Sequence, residues 1–334
     1  MIINTYVVIT LFIALLTVFL SIMLGVASLN IYRRWGDVRH VEERIAIENR
    51  SYLLLNIAVA ILFVRLLSWP FFYATLQSFV SDVPGAMCIF GVTRVKPYLS
   101  GIVQIFKPAV SFAIGGWMLL NSLDRKTETA PLFKRKFLFL FIVSILIFAD
   151  SSLDLIYLTG FKVANPVACC TTLFDLPERM TAAVSVSILG EGYERYLLPM
   201  YYLSSLSFIA FQSFSYYRLR PDQPLLIPIT GVAIASVNAA VTIFAMFEVI
   251  APRIMHLPYH HCIYCMWQYV PTSILMTALF IIGTFSPGWA LILDIAGRHE
   301  ETATALEGYL KNLSLLGIAG IGGSAMIATV YLLL

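Results

Sequence analysis

"TYVVITLFIALLTVFLSIMLGVASLNIY", residues 5–32, runs for 28 positions without one Asp, Glu, Lys, Arg or His. A helix needs about 20 mainly apolar residues to cross a hydrocarbon core roughly 30 Å thick, and this run is longer. Its apolar part is about twice the core of a secretory signal, and no Lys or Arg precedes it, so it reads as a retained helix. Similar runs follow at about 51–79, 97–121, 137–160, 196–217, 225–250, 267–296 and 312–334. Across the chain 59% of residues are apolar, 12% are charged, and mean hydropathy is +0.84, outside the balance of a soluble domain. In lipid, only helices or closed barrels satisfy the backbone, and runs this long do not alternate as barrel strands do. The expected fold is therefore all-α: a polytopic integral membrane bundle of about eight transmembrane helices. With no long linker, low-complexity tract or repeat, residues 1–334 read as a single transmembrane helical domain.

The basic residues orient these runs. Segment 33–50 holds Arg33, Arg34, Arg39, Arg44 and Arg50, and segment 122–136 holds Arg125, Lys126, Lys134, Arg135 and Lys136. Arg218, Arg220, Arg298 and Lys311 fall on the same side, which collects fourteen of the 22 basic residues; six fall opposite, and Arg65 and Lys107 lie within helices. The positive-inside rule then places the basic segments in the cytoplasm and both termini on the outer, periplasmic side of an inner (cytoplasmic) membrane. The net charge of +3 reflects this asymmetry and gives no sign of a nucleic-acid partner; the partner implied is the lipid bilayer.

All five cysteines fall in three outer loops, 80–96, 161–195 and 251–266: Cys88, then Cys169 and Cys170, then Cys262 and Cys265. Disulfides form and persist on that side. The third loop, "HLPYHHCIYCMW" (256–267), concentrates His256, His260 and His261 beside the two cysteines. A C-x-x-C at a helix start brings two sulfurs together where the helix N-terminus favours thiolate, which suits thiol–disulfide exchange. The adjacent Cys169 and Cys170 are expected to face different partners, and an odd total leaves one cysteine over. The same Cys262 and Cys265 with His256, His260 and His261 also form a soft ligand set for copper or zinc, and Met87, Met255 and Met266 nearby favour copper. A short helix is expected at 176–189, opening on a proline and an acidic residue.

Charges inside spans are costly and mark function by default. Arg65 and Lys107 lie near mid-membrane, with Asp150 and Asp154 four apart on one helix face and Glu248 near the end of another run. They read either as two buried ion pairs or as a proton relay or quinone pocket with Arg65 or Lys107 on a quinone oxygen. The tyrosines near both ends of 196–217 read as an interfacial belt, and "GIAGIGGSA" (317–325) as a face for close helix packing. Phosphate-binding, dinucleotide and haem-attachment motifs are absent from the sequence, so it carries no haem or nucleotide signal.

The cysteine placement resembles that of membrane disulfide-generating oxidoreductases of the bacterial disulfide-oxidase and vitamin K epoxide reductase kind. The resemblance implies Cys262 and Cys265 as a quinone-coupled pair, with Cys169 or Cys170 and Cys88 as loop partners. Those families use four core helices where eight are expected here, and neither the "HH" nor the vicinal "CC" belongs to their pattern. Three functions follow as expectations: thiol–disulfide oxidoreductase coupled to membrane quinone, with an extracytoplasmic thiol protein as partner; copper or zinc binding and delivery, with a metal donor as partner; or an anchor or assembly subunit of an extracytoplasmic redox complex with structural disulfides.

Overall fold

The computed structural model describes residues 3–37, 41–163, 165–167, 169, 180–218 and 224–333, by backbone alone at 36, 37, 41–46, 49, 50 and 180. Among the described residues the chain forms helices and turns only. The helices are α1 (Thr5–Asp37), α2 (Val41–Ser78), α3 (Ile89–Thr93), α4 (Pro97–Asp124), α5 (Phe133–Thr159) and α6 (Met180–Leu189). They continue with α7 (Glu194–Arg218), α8 (Leu226–Ala245), α9 (Ala251–Ile254), α10 (Ile263–Tyr269), α11 (Thr272–Ala296) and α12 (Ala303–Leu333). A π-helical stretch, Met246–Ile250, joins α8 to α9.

Among the described residues seven segments are long and apolar enough to cross a membrane: Thr5–Trp35, Ser51–Asp82, Pro97–Asp124, Phe133–Thr159, Leu226–Ile254, Thr272–Ala296 and Ala303–Leu333. The chain is thus a multi-pass membrane protein by the length and apolarity of its helices. The eighth expected run, 196–217, is helical within α7 and 25 residues long. It stands outside the seven because Ser204, Ser205, Ser207, Gln212, Ser213 and Ser215 make it more polar.

Several helices outrun the apolar segments that announce them. α1 continues through Arg33 and Arg34 to Asp37, α5 begins three residues before Lys136, and α12 begins at Ala303, eight residues before Lys311. Hydropathy marks the stretch that tolerates lipid, whereas a helix ends where its backbone hydrogen bonding ends. The run 267–296 is broken: α10 closes at Tyr269 and α11 opens at Thr272 with Pro271 as N-cap. Pro271 lacks an N–H and pushes Val270 out of the helical region, so Val270 has φ −130° and ψ 82°. The expected short helix is present as α6; residues 176–179 of that expectation lie outside the described residues.

Two compact units divide the chain, Met1–Val167 and Ala168–Leu334. In the first, α1 packs on α2 and α5, and α4 on α5 and α2, around Leu62, Ile114, Trp117, Phe137 and Leu140. Hydroxyl pairs tie α1 to its neighbours: Thr10 with Thr75 at 2.7 Å and Thr17 with Ser151 at 2.8 Å. Such bonds average about 0.6 kcal/mol in a bilayer, so they fix register more than they supply stability. Lys136 is buried at the start of α5. Its Nζ donates to Asp124 Oδ2 at 2.5 Å, and Asp124 Oδ1 accepts the Leu132 N–H at 3.0 Å, which pins the α4–α5 turn to both helix ends.

In the second unit α7 packs on α8 and α12, and α11 on α12 and α8. The small-residue face at 317–325 serves packing within the unit. A Cβ on Gly320 would lie 2.7 Å from the Gly283 Cα, so only glycine lets the α11 and α12 backbones approach this closely.

Candidate functional site

Cys262 is the N-cap of α10, in extended conformation, and Cys265 sits in the first turn. The Met266 N–H donates to the Cys262 carbonyl at 3.1 Å, closing the turn that folds the two side chains onto one side. Their sulfurs lie within 4.8 Å of each other, and both residues are buried, at 5% and 4% exposure. Met266 is fully buried next to Cys265 in the chain, and Ser273 Oγ donates to the Met266 carbonyl at 3.2 Å, anchoring α10 to the start of α11. Cys265 thus belongs to a separate short helix, one break ahead of the span it was expected to open.

His260 and His261 are buried with the cysteines, whereas His256 is exposed. The backbone explains the separation: His256 has φ 55°, a left-handed turn that ends α9 and directs its side chain into a shallow cleft beside Pro252, Arg253 and Tyr331. Of the five expected metal-site residues, the structure therefore buries four within one short stretch and leaves His256 apart. Met255 is also buried, while Met87 is exposed. Cys88 is buried as the N-cap of α3 in the first unit, and Cys169 is half-buried. Cys170 lies outside the described residues.

The charges of the first unit come together as a single four-membered network, in place of two separate pairs. Arg65 of α2 donates through Nε to Asp150 Oδ2 at 2.8 Å, through Nη2 to the same carboxylate, and through Nη2 to Asp154 Oδ2 at 2.7 Å. Lys107 of α4 donates to Asp154 Oδ1 at 2.8 Å and Oδ2 at 3.0 Å, and approaches Asp150 Oδ1 at 3.5 Å. All four are at most 3% exposed. Two cations and two carboxylates cancel, which is the condition under which charge is tolerated inside a bundle. Phe72 adds its ring face 4.3 Å from the Lys107 ammonium, a cation–π contact in a dry site.

Glu248 stands apart in the second unit, on the π-helical stretch. Its two oxygens accept from Thr181 Oγ1 at 2.5 Å and Tyr193 Oη at 2.7 Å. Neither hydroxyl was marked by the sequence, because Thr181 on α6 and Tyr193 before α7 reach Glu248 only through tertiary packing. The π stretch was equally silent: its one extra residue leaves the apolar pattern intact.

These features define a multi-pass helical protein with a buried Cys/His stretch and a neutral intramembrane charge network. No protein-family model, curated protein or solved structure matches the chain. The likeness to membrane disulfide-generating oxidoreductases therefore rests on cysteine placement alone.

Proposed function

We propose that the protein is a membrane thiol–disulfide oxidoreductase of a bacterial inner membrane, with Cys262 and Cys265 as its redox pair on the extracytoplasmic side and a membrane quinone as electron acceptor. The observation that carries this reading is the approach of the two sulfurs to within 4.8 Å at the start of α10. Oxidation joins the sulfurs and releases two protons and two electrons; the quinone takes up both and leaves as quinol. His260 and His261, buried immediately ahead of Cys262, are placed in sequence to accept thiol protons. The charge asymmetry supports a topology with both termini outside, in which α7 crosses as the eighth helix. On that topology Cys88, Cys169 and Cys170 face the same compartment and are the proposed exchange partners. The closed network around Arg65 and Lys107 supports a structural role for those two residues, since each cation is met by both carboxylates.

The reading is tested by mixing reduced, purified protein with a short-chain quinone and following quinol formation. Wild type is expected to yield at least one quinol per protein under anaerobic conditions, from the two electrons released as the two thiols join in one disulfide, and Cys262→Ser or Cys265→Ser to yield none. Equal yields from wild type and both variants contradict it. A second reading, copper or zinc binding at the same stretch, is favoured by two buried sulfurs close enough for one metal ion to bridge, with His260 and His261 adjacent to Cys262 in sequence. Stoichiometric copper or zinc in the purified protein, lost in Cys262→Ser, supports that reading.

A further inference from the structure

The interior of the second unit is layered by polarity. At one level Gln212 Nε2 and Ser286 Oγ crowd Gly317, where a Cβ would lie 2.9 Å and 2.6 Å from them. Phe208, Ala235, Phe280 and Ile321 then pack together as a purely apolar layer. Beyond it, toward the end that carries α9 and α10, Asn238 donates to Ser204 and Ser205 at 3.1 Å each. Ser324 stands at this level too. It lies two turns beyond Gly317 on α12, as Ser205 lies two turns before Gln212 on α7, and the two helices run antiparallel, as the Tyr202–Thr329 hydrogen bond confirms. Thr242 follows one turn beyond Asn238 on the same face of α8, and Glu248 ends the column about 9 Å further on.

Three polar atoms on this side have no hydrogen-bond partner: Asn238 Oδ1, Thr242 Oγ1 and Ser324 Oγ. Their residues are at most 2% exposed, and Ser215 Oγ is similarly unsatisfied and buried beyond the apolar layer. Orphaned polar atoms inside a bundle are costly, and water, which bridges two to four polar groups, is the ligand that fits unpartnered oxygen acceptors and hydroxyls spaced along helices α8 and α12. The carboxylate at the end sits on a π-helical stretch, a distortion that often marks functional positions.

We propose that this interior binds two files of water, one on each side of the Phe208–Phe280 layer, and that the file between Asn238 and Glu248 gives Glu248 a path for proton exchange. The apolar layer is the barrier that keeps the two files apart. The proposal is independent of the chemistry at Cys262 and Cys265.

Radiolytic hydroxyl-radical labelling of the intact protein in lipid nanodiscs tests the water directly. Tyr201, buried one turn from Ser205, is expected to be oxidised in proportion to dose, while Phe208 in the dry layer is not. Tyr201 oxidised no faster than Phe208 overturns the proposal. The barrier is tested in liposomes loaded with a pH-sensitive dye, using variants that elute as monodisperse protein. Phe208→Ser is expected to raise proton influx several-fold over wild type, and Phe208→Ser/Glu248→Gln to return it to the wild-type level. Influx unchanged by Phe208→Ser overturns the barrier, and influx that persists without Glu248 overturns its role in proton exchange.

Discussion

At the scale of single residues, the four-membered network shows how burial turns charge into a constraint. Asp154 accepts from both Arg65 and Lys107, so its removal leaves Asp150 alone against two cations, with one charge uncompensated in a dry interior. Asp154→Leu is expected to destabilise the protein by about 3–5 kcal/mol, the cost typical of breaking a buried pair, read as a lower thermal midpoint in detergent. Lys107→Met/Asp154→Leu, which restores neutrality, is expected to recover most of the loss. A double variant as unstable as the single one contradicts the account. Sequence made Arg65, Lys107, Asp150 and Asp154 conspicuous because charge is rare in apolar runs. It did not reveal that they form one network, because that depends on which faces of α2, α4 and α5 turn toward one another. Glu248 was equally visible, but its partners Thr181 and Tyr193 were not, being ordinary residues that gain meaning only from where α6 and α7 pack.

At the scale of helices, presence was legible and extent was not. Each long apolar run is helical over nearly all its length, 267–296 with a break at Val270–Pro271, because lipid leaves the backbone no other way to satisfy itself. Charged ends such as Arg33 and Arg34 on α1 continue the same hydrogen bonding into the interface, where hydropathy no longer reports it. The break at Val270–Pro271 was carried by a proline that other helices absorb: Pro70, Pro108, Pro199 and Pro287 all lie inside helices. The glycine face of α12 makes a sharper prediction. Gly320→Val places its Cβ against the backbone of α11 at 2.7 Å and is expected to cost about 1–3 kcal/mol, as overpacking does, in the same thermal assay. Gly308→Ala, where the added Cβ meets nothing within 4 Å, is expected to leave the midpoint unchanged or slightly raised. Equal effects at the two positions contradict the close approach of α11 and α12.

For the whole molecule, the sequence predicts a common frame for charge and cysteines: basic segments on one side, and the segments that carry the cysteines on the other. A fusion of alkaline phosphatase after residue 334 is expected to be active in cells of a bacterial host, and a green fluorescent protein at the same point dark; the reverse pattern contradicts an outward C-terminus. The proposed chemistry rests on the segment richest in cysteine and histidine. The most direct test is differential alkylation with mass spectrometry on protein taken from membranes with and without added quinone. With quinone, Cys262 and Cys265 are predicted to be recovered as one disulfide, and without it after reduction as two alkylated thiols. Two thiols alkylated equally under both conditions would contradict a redox pair at the start of α10.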